Sequence, residues 1–262
     1  MPTAQANGVT LNYEVHGEGE ALLLINGLAD DLTSWAYQLE EFSQQYKTIV
    51  FDNRGIGSSD MPPGEYTTQQ MAADAKGVLD ALQISRAHVL GVSMGGMIAQ
   101  EFALAYPERV NKLLLCCTCS EPSQANLLLY RFWQQAAPRM SLGEMMREVL
   151  VWCFTPTYFE THQDEAKETE EALTSITQPV EAYLSQLHSI QVHNATDRLG
   201  QIQAPTLVLG APKDLIFPPN QSEQLHQGIR NSQLRFTEHG GHGYLWEAPE
   251  EFNQAVLAFL DS

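Results

Sequence analysis

Apolar and polar positions alternate only near the amino terminus of the chain. VTLNYEVHG, residues 9–17, changes character at every second position and breaks at Gly17-Glu18-Gly19, which predicts an antiparallel edge strand and a turn. ALLLIN (21–26), YKTIVFD (46–52), AHVLGVS (87–93), VNKLLLCCT (110–118) and APTLVLG (204–210) are instead continuous apolar runs, the pattern of strands buried on both faces. Between them the spacing turns helical. TTQQMAADAKGVLDALQI (67–84) sets Met71, Ala75, Val78, Leu79 and Leu82 on one stripe behind threonines that can cap it. SWAYQLEEFSQQ (34–45) and MGGMIAQEFALAYP (94–107) read the same way, the second closed by Pro107. Asn26-Gly27 is the dipeptide of a two-residue hairpin. The residues after it, LADDLTSW, form a loop entering a helix and not a returning strand, so Asn26-Gly27 is expected to end a parallel strand.

Strand–helix–strand repetition predicts an α/β fold with a mainly parallel, twisted sheet flanked by helices on both faces. The rhythm breaks from 121 to 201, where helical stretches (NLLLYRFWQQAA, SLGEMMREVLVWCF, HQDEAKETEEALTSI, PVEAYLSQLHSI) follow one another without a strong strand. It then resumes with APTLVLG, a helix near PNQSEQLHQGI, a strand SQLRFTE and a last helix PEEFNQAVLAFL. The expected organisation is an α/β core over 1–120 and 202–262 with a helical cap, 121–201, inserted between its two parts.

Charge narrows the partners. With 14 Lys and Arg against 32 Asp and Glu the net charge is −18, which repels phosphate backbones and anionic lipid. No nucleic-acid or membrane partner is expected, and no apolar stretch reaches the ~18 residues that span a bilayer. A small-molecule substrate is the expected partner, and a homo-oligomer is compatible with the sequence. Cys116, Cys117, Cys119 and Cys153 lack His partners at metal-ligand spacing, and strand neighbours point to opposite faces. They read as buried thiols of a cytoplasmic protein, with no metal site. The amino terminus has neither the basic nor the apolar region of a signal peptide.

The candidate chemistry starts at GVSMGG, residues 91–96, which fits G-x-S-x-G between a buried strand and a helix. Such a turn lifts the Ser93 hydroxyl clear of the sheet, near the positive end of the helix that follows. A serine hydroxyl needs a base, and the base needs a carboxylate to orient it. In this arrangement both come later in the chain, acid before histidine, in loops after strands. TLVLGAPKDLIFPP offers Asp214, with Glu121 and Asp197 as rivals; Asp197 reads better as a helix cap or a partner of Arg198. FTEHGGHGYLWEAPEEF offers His239 and His242, and the glycines around His242 favour it by giving the imidazole room to swing over the serine. His188 and His193 are within reach from the cap.

GVSMGG, APKDLIFPP and GGHGYLWEAPEEF, in this order around a helical insertion, resemble the α/β-hydrolase fold superfamily over essentially the whole chain. DNRGIGSSD (52–60) resembles the D-x-R-G-x-G-x-S turn of the same superfamily, a structural loop shaped by Arg54 and the glycines. NGLADDLTSW, DNRGIGSSDMPPGEYT and GVSMGGMIAQ are similar to stretches of the 3-oxoadipate enol-lactonases, which tend to carry Asn where much of the superfamily has His, followed by Ser where this chain has Gly27.

The resemblance implies a serine hydrolase, a carboxylesterase or lactonase with Ser93, Asp214 and His242 as its triad. The backbone N–H groups of Leu28 and Met94 would form its oxyanion hole, and no cofactor is called for. The alternatives on the same triad are a C–C bond hydrolase and a cofactor-free perhydrolase; the non-enzymatic alternative is a ligand-binding pseudoenzyme. Trp35, Trp133 and Trp152 are candidates for the substrate wall, and Arg131 for meeting an anionic substrate.

Overall fold

In a computed structural model, which describes residues 2–174 and 178–262, eight strands form one sheet in the order β1-β2-β4-β3-β5-β6-β7-β8. The strands are β1 (Thr3–Ala6), β2 (Val9–His16), β3 (Glu20–Ile25), β4 (Tyr46–Phe51), β5 (Ala87–Val92), β6 (Val110–Cys116), β7 (Thr206–Gly210) and β8 (Ser232–Phe236). From β4 onward along the sheet all pairings are parallel, while β1–β2 and β2–β4 are antiparallel. The helices are α1 (Ala36–Phe42), α2 (Thr68–Ala81), α3 (Met94–Ala105), α4 (Gln124–Ala136), α5 (Leu142–Cys153), α6 (Pro156–Thr161), α7 (Gln163–Thr174), α8 (Val180–Gln191), α9 (Pro219–Gly228), α10 (Tyr244–Glu247) and α11 (Pro249–Leu260). No helix among the described residues is long and apolar enough to cross a membrane.

The unbroken apolar runs are explained by burial on two sides. Leu23 and Ile25 of β3, Val89 of β5 and Leu113 and Leu115 of β6 pack into one core with α2 and α3. Their neighbours Leu22, Leu24, Leu90, Leu114 and Cys116 pack into a second core, on the other face, with α1 and α11. Alternate residues thus fill opposite layers, and the polar side chains of these strands, Glu20, His88, Asn111 and Lys112, sit at or near their starts.

One expected edge is not the edge. β2 is antiparallel as its alternation suggests, but β1 pairs outside it in register Ala6↔Val9. The turn between them is Asn7-Gly8 with φ 49° and 79°, the left-handed pair that a two-residue hairpin needs. The hairpin dipeptide that does turn back is therefore Asn7-Gly8, in a segment too short and too polar to show strand periodicity.

Between β6 and β7 the chain runs through α4 to α8. α6 is not marked by apolar periodicity; Thr155 caps it through the Tyr158 N–H, and Pro156 supplies a preset φ at its first turn. The expected HQDEAKETEEALTSI helix is α7 as far as Thr174; residues 175–177 lie outside the described part. The cap is tied to the core through DNRGIGSSD. Gln186 of α8 donates to the Arg54 carbonyl at 2.8 Å, and Gln178 donates to the Gly55 carbonyl at 2.6 Å. Arg54 itself forms a buried two-point ion pair with Asp74 of α2, at 2.5 and 2.7 Å. Asp52 accepts the Leu32 and Ser58 N–H groups, at 2.8 and 2.9 Å, so this loop has the bracing role expected of it.

Candidate active site

The site begins at the turn between β5 and α3. Ser93 has φ 57° and ψ −118°, a strained conformation for a residue with a Cβ, of the sort that costs about 1–3 kcal/mol. Surrounding bonds hold it: the Ser93 N–H donates to the Cys116 carbonyl at 3.0 Å, and the Thr118 hydroxyl donates to the Ser93 carbonyl at 2.8 Å. The turn also requires α3 to start almost on top of β3. A Cβ added at Gly95 would stand 2.0 Å from the Ile25 carbonyl oxygen, so only glycine fits.

Two later loops bring the partners. Asp214, past the end of β7, is 3% exposed; its Oδ1 accepts the N–H groups of Ile216 and Phe217, both at 2.8 Å. Its Oδ2 lies 2.9 Å from His242 Nδ1. A carboxylate only accepts, so Nδ1–H is the donor, and the neutral ring is left with Nε2 as an acceptor. That Nε2 lies 3.1 Å from Ser93 Oγ, within hydrogen-bond reach. The Phe217 ring packs against the imidazole at 5.4 Å between centroids. The glycines beside His242 act by close packing and not by giving the ring freedom. The Gly243 N–H donates to the Cys153 carbonyl at 2.8 Å, and a Cβ at Gly241 would meet that same carbonyl oxygen at 2.7 Å. Glu247 joins the seam, accepting the Gly241 and Thr155 N–H groups at 3.0 and 3.2 Å.

The loop after β3 closes the other side. Asn26 donates from Nδ2 to the Asp30 carbonyl at 3.2 Å, a brace within the loop, and Ala29 follows with φ 63°. The Ala29 N–H is taken by Gln186 Oε1 at 3.2 Å, whereas neither the Leu28 nor the Met94 N–H meets an acceptor among the described residues. Gly27 makes room: a Cβ there would lie 2.8 Å from Asp30 Oδ2 and 3.5 Å from Ser93 Cβ. Asp30 therefore folds its carboxyl over Gly27, beside the serine. Burial pushes its pKa up to about 7, against the pull of His242 and with a further push from Asp31.

Above Ser93 and His242 lies a cavity of about 360 Å³. Leu28 and Asp30 line it from the core, Tyr130 and Trp133 from α4, Met146 and Cys153 from α5, and Tyr183 from α8. Cys153 thus departs from the expectation of four fully buried thiols: it is half-buried, at the end of α5 where the cap meets the His242 loop. Burial raises the Cys116 thiol to about 12.

Of the residues singled out in the sequence, Ser93, Asp214, His242, Leu28, Met94 and Trp133 come together here, whereas Trp35, Arg131 and Trp152 do not. Trp35 is 1% exposed in the core on the sheet face away from the cap, carried there by the 3₁₀ turn Leu32–Trp35. Arg131 follows Tyr130 by about 100° around α4, so it faces outward into a shallow surface groove with Gln124, Leu127 and Gln191. Trp152 is 39% exposed, since Met145, Met146 and Cys153 take the inward face of α5. His188 faces Glu65 at 3.5 Å and His193 is buried against Thr68; neither lines the cavity. Arg198 pairs with Glu101 and not with Asp197, Glu121 accepts from Asn194, and His239 is an exposed partner of Glu251.

Asp30 and Glu247 lie within NGLADDLTSW and GGHGYLWEAPEEF, but nothing in those stretches marks them out, and Gln186 lies in the cap stretch PVEAYLSQLHSI. Gln186 did carry a signal, a polar residue on the stripe of α8 that holds Ala182, Tyr183 and Ile190. Among the described residues no group of three or more His, Cys, Asp or Glu is arranged to hold a metal ion.

The profile of the α/β-hydrolase fold family matches residues 20–143 and 151–249. A 3-oxoadipate enol-lactonase of Acinetobacter baylyi is 30% identical over 98% of this chain and 96% of its own length. A putative carbamate hydrolase, RutD, of Azorhizobium caulinodans is 28% identical over 99% of this chain and 98% of its own. Among solved structures, the enol-lactonase of Burkholderia xenovorans superposes with a TM-score of 0.91 at 27% identity, each chain covered in full. A thermophilic esterase of Thermogutta terrifontis superposes with a TM-score of 0.90 at 28% identity, covering 99% of this chain and 97% of its own. With its sheet order, its cap between β6 and β7 and a profile match over most of its length, the chain belongs to the α/β-hydrolase fold family.

Proposed function

We propose that this protein is a serine hydrolase that cleaves a carboxylic ester or small lactone by acyl transfer. The observation that carries the reading is the relay from Asp214 Oδ2 through His242 to Ser93 Oγ, at 2.9 and 3.1 Å, with the serine on a strained turn at the floor of the cavity. His242 Nε2 takes the hydroxyl proton as Ser93 Oγ bonds to the carbonyl carbon. Asp214 keeps the ring in the tautomer that accepts at Nε2 and stabilises the imidazolium. Charge then develops on the carbonyl oxygen, and the Leu28 and Met94 N–H groups, which no acceptor among the described residues engages, are the donors for it. As the tetrahedral adduct collapses, the C–O bond to the leaving alcohol breaks and His242 returns the proton to that oxygen. Water, deprotonated by the same imidazole, releases the acid and restores Ser93. The similarity to an enol-lactonase and an esterase supports ester or lactone carbonyls as the electrophile.

The test is hydrolysis of short-chain 4-nitrophenyl esters by the wild type and by Ser93→Ala. Turnover that disappears in the variant is expected; no turnover by the wild type, or equal turnover by both, would refute the reading.

A further inference from the structure

Three side chains lining the cavity carry polar groups that are buried and have no hydrogen-bond partner among the described residues: the hydroxyls of Tyr130 and Tyr183 and the indole N–H of Trp133. Tyr130 and Tyr183 are fully buried and Trp133 is 5% exposed. Tyr130 and Trp133 sit a turn apart on α4 with ring centroids 5.5 Å apart, and Tyr183 faces the cavity from α8. A buried donor left unpaired is costly, and an indole N–H can only donate. These groups suit an oxygen acceptor brought in by the substrate.

The charges around the cavity say which kind of oxygen. Asp30, Glu165 and Glu168 line it, and none of the lining residues is Lys or Arg. Ser175, Ile176 and Thr177, which lie outside the described residues, bring no charge to the cap. Of the three acidic residues, Asp30 is the one held over Gly27 beside Ser93. A second carboxylate entering with the substrate would lose its hydration, gain no cation and meet a like charge. A ketone or ether oxygen escapes all three penalties and still accepts from a hydroxyl or an indole.

We propose that the cavity selects uncharged esters or lactones whose acyl part carries a second, neutral acceptor oxygen, bound by the donors of Tyr130, Trp133 and Tyr183, and that Asp30 turns away acyl groups ending in a carboxylate. This rests on the serine-hydrolase reading and specifies its substrate class, setting it apart from a lactone that bears a free carboxylate.

Three 4-nitrophenyl esters of matched length test it near pH 8: the hexanoate, the 5-oxohexanoate and the hemi-adipate. The oxo ester is expected to exceed the hexanoate in kcat/KM by about fivefold, the worth of one net hydrogen bond. The more apolar hexanoate would win if the wall were merely greasy. The hemi-adipate is expected to fall below the hexanoate by at least tenfold. Tyr130→Phe, Tyr183→Phe and Trp133→Phe should shrink the oxo preference, and Asp30→Asn the penalty on the adipate. These are ratios between esters on one protein, so a general loss of folding or triad activity cancels. Calorimetric binding of the corresponding methyl esters to Ser93→Ala reads the same order without turnover. An oxo ester no better than the hexanoate, an adipate as good as either, or ratios unmoved by the variants would overturn the selectivity. Binding in the expected order without any turnover by the wild type would instead sink the hydrolase reading.

Discussion

Gln186 of the cap accepts the Ala29 N–H of the core at 3.2 Å, and the same side chain donates to the Arg54 carbonyl at 2.8 Å. One buried amide thus clamps the loop at the residue after Leu28, whose N–H is the proposed oxyanion donor. Without the clamp that proposed donor would lose its fixed place. Gln186→Leu, similar in volume but unable to hold either bond, should lower kcat about tenfold or more, short of the 10²–10³ typical of deleting an oxyanion donor outright. KM should change less than kcat, since the developing charge and not the resting carbonyl needs the donor. A change confined to KM would show that the clamp serves binding alone.

Asp214→Asn preserves the acceptor for the Ile216 and Phe217 N–H groups but can present an amide to His242 Nδ1. The ring would then carry its proton on Nε2 and could no longer receive one from Ser93. Activity is expected to drop by about 10³–10⁴-fold with the melting temperature nearly kept. A loss below tenfold, measured on a neutral ester, would remove Asp214 from the relay.

Gly95→Ala places a methyl 2.0 Å from the Ile25 carbonyl, where the obstacle is backbone in the middle of the sheet. α3 must lift away, costing about 1–3 kcal/mol of stability and moving Ser93 with it. Thermal melting should fall by about 2–4 °C per kcal/mol, with activity lost out of proportion. An unchanged melt with full activity would mean that the turn is looser than its geometry.

The charge state of Asp30 should be visible in selectivity. With a pKa of about 7 it is neutral below that pH and anionic above it. The groups that face it are His242 from the loop after β8, Asp31 beside it and the Cys153 thiol at the end of α5. The penalty on the hemi-adipate ester relative to the hexanoate should therefore grow from pH 6 to pH 8. Titration of the relay affects both esters alike and cancels in the ratio. A ratio flat across that range would show that Asp30 does not set it.

His193 links stability to acid. It is buried, meets the Thr68 hydroxyl at 3.0 Å and lies 3.7 Å from Glu101, which is itself paired with Arg198. Burial, with help from the Arg198 charge, holds its pKa down at about 3 from 6.5. The unfolded chain takes up this proton below 6.5 and the folded one does not until about 3, so its contribution is present above 6.5 and is lost as pH falls toward 3. The raised pKa of Asp30 acts in the opposite sense between about 4 and 7 and is common to both proteins being compared. Urea midpoints at pH 7 and pH 5 should differ less in His193→Asn than in the wild type. An equal difference would assign the acid sensitivity elsewhere.

Much of this was written locally. The apolar runs that became β3 to β7 were legible because a strand covered on both faces is apolar over most of its length. Ser93, Asp214 and His242 were legible because a strained βα turn and two loops after strands each demand recognisable residues at short range. Asn7-Gly8 was passed over because β1 is too short to show a period. The cap resisted for the same kind of reason: Arg131 and Trp152 are residue types with functional uses, and which side of a helix faces the site is settled by packing, of α4 against α8 and of α5 against α7.

The sequence by itself therefore indicated the α/β order, the helical stretches between β6 and β7, and Ser93, Asp214 and His242 as residues that the structure brings within hydrogen-bond distance, all properties of short segments. Only the tertiary structure decided that Gln186 holds the Ala29 loop, that Asp30 turns inward over Gly27, and that three unpaired donors line a cavity without a lysine or arginine. The Gln186 bonds join core to cap, and the three donors come from two cap helices far apart along the chain. No local pattern records them, because the energy that fixes them comes from packing two separate pieces of the chain against each other.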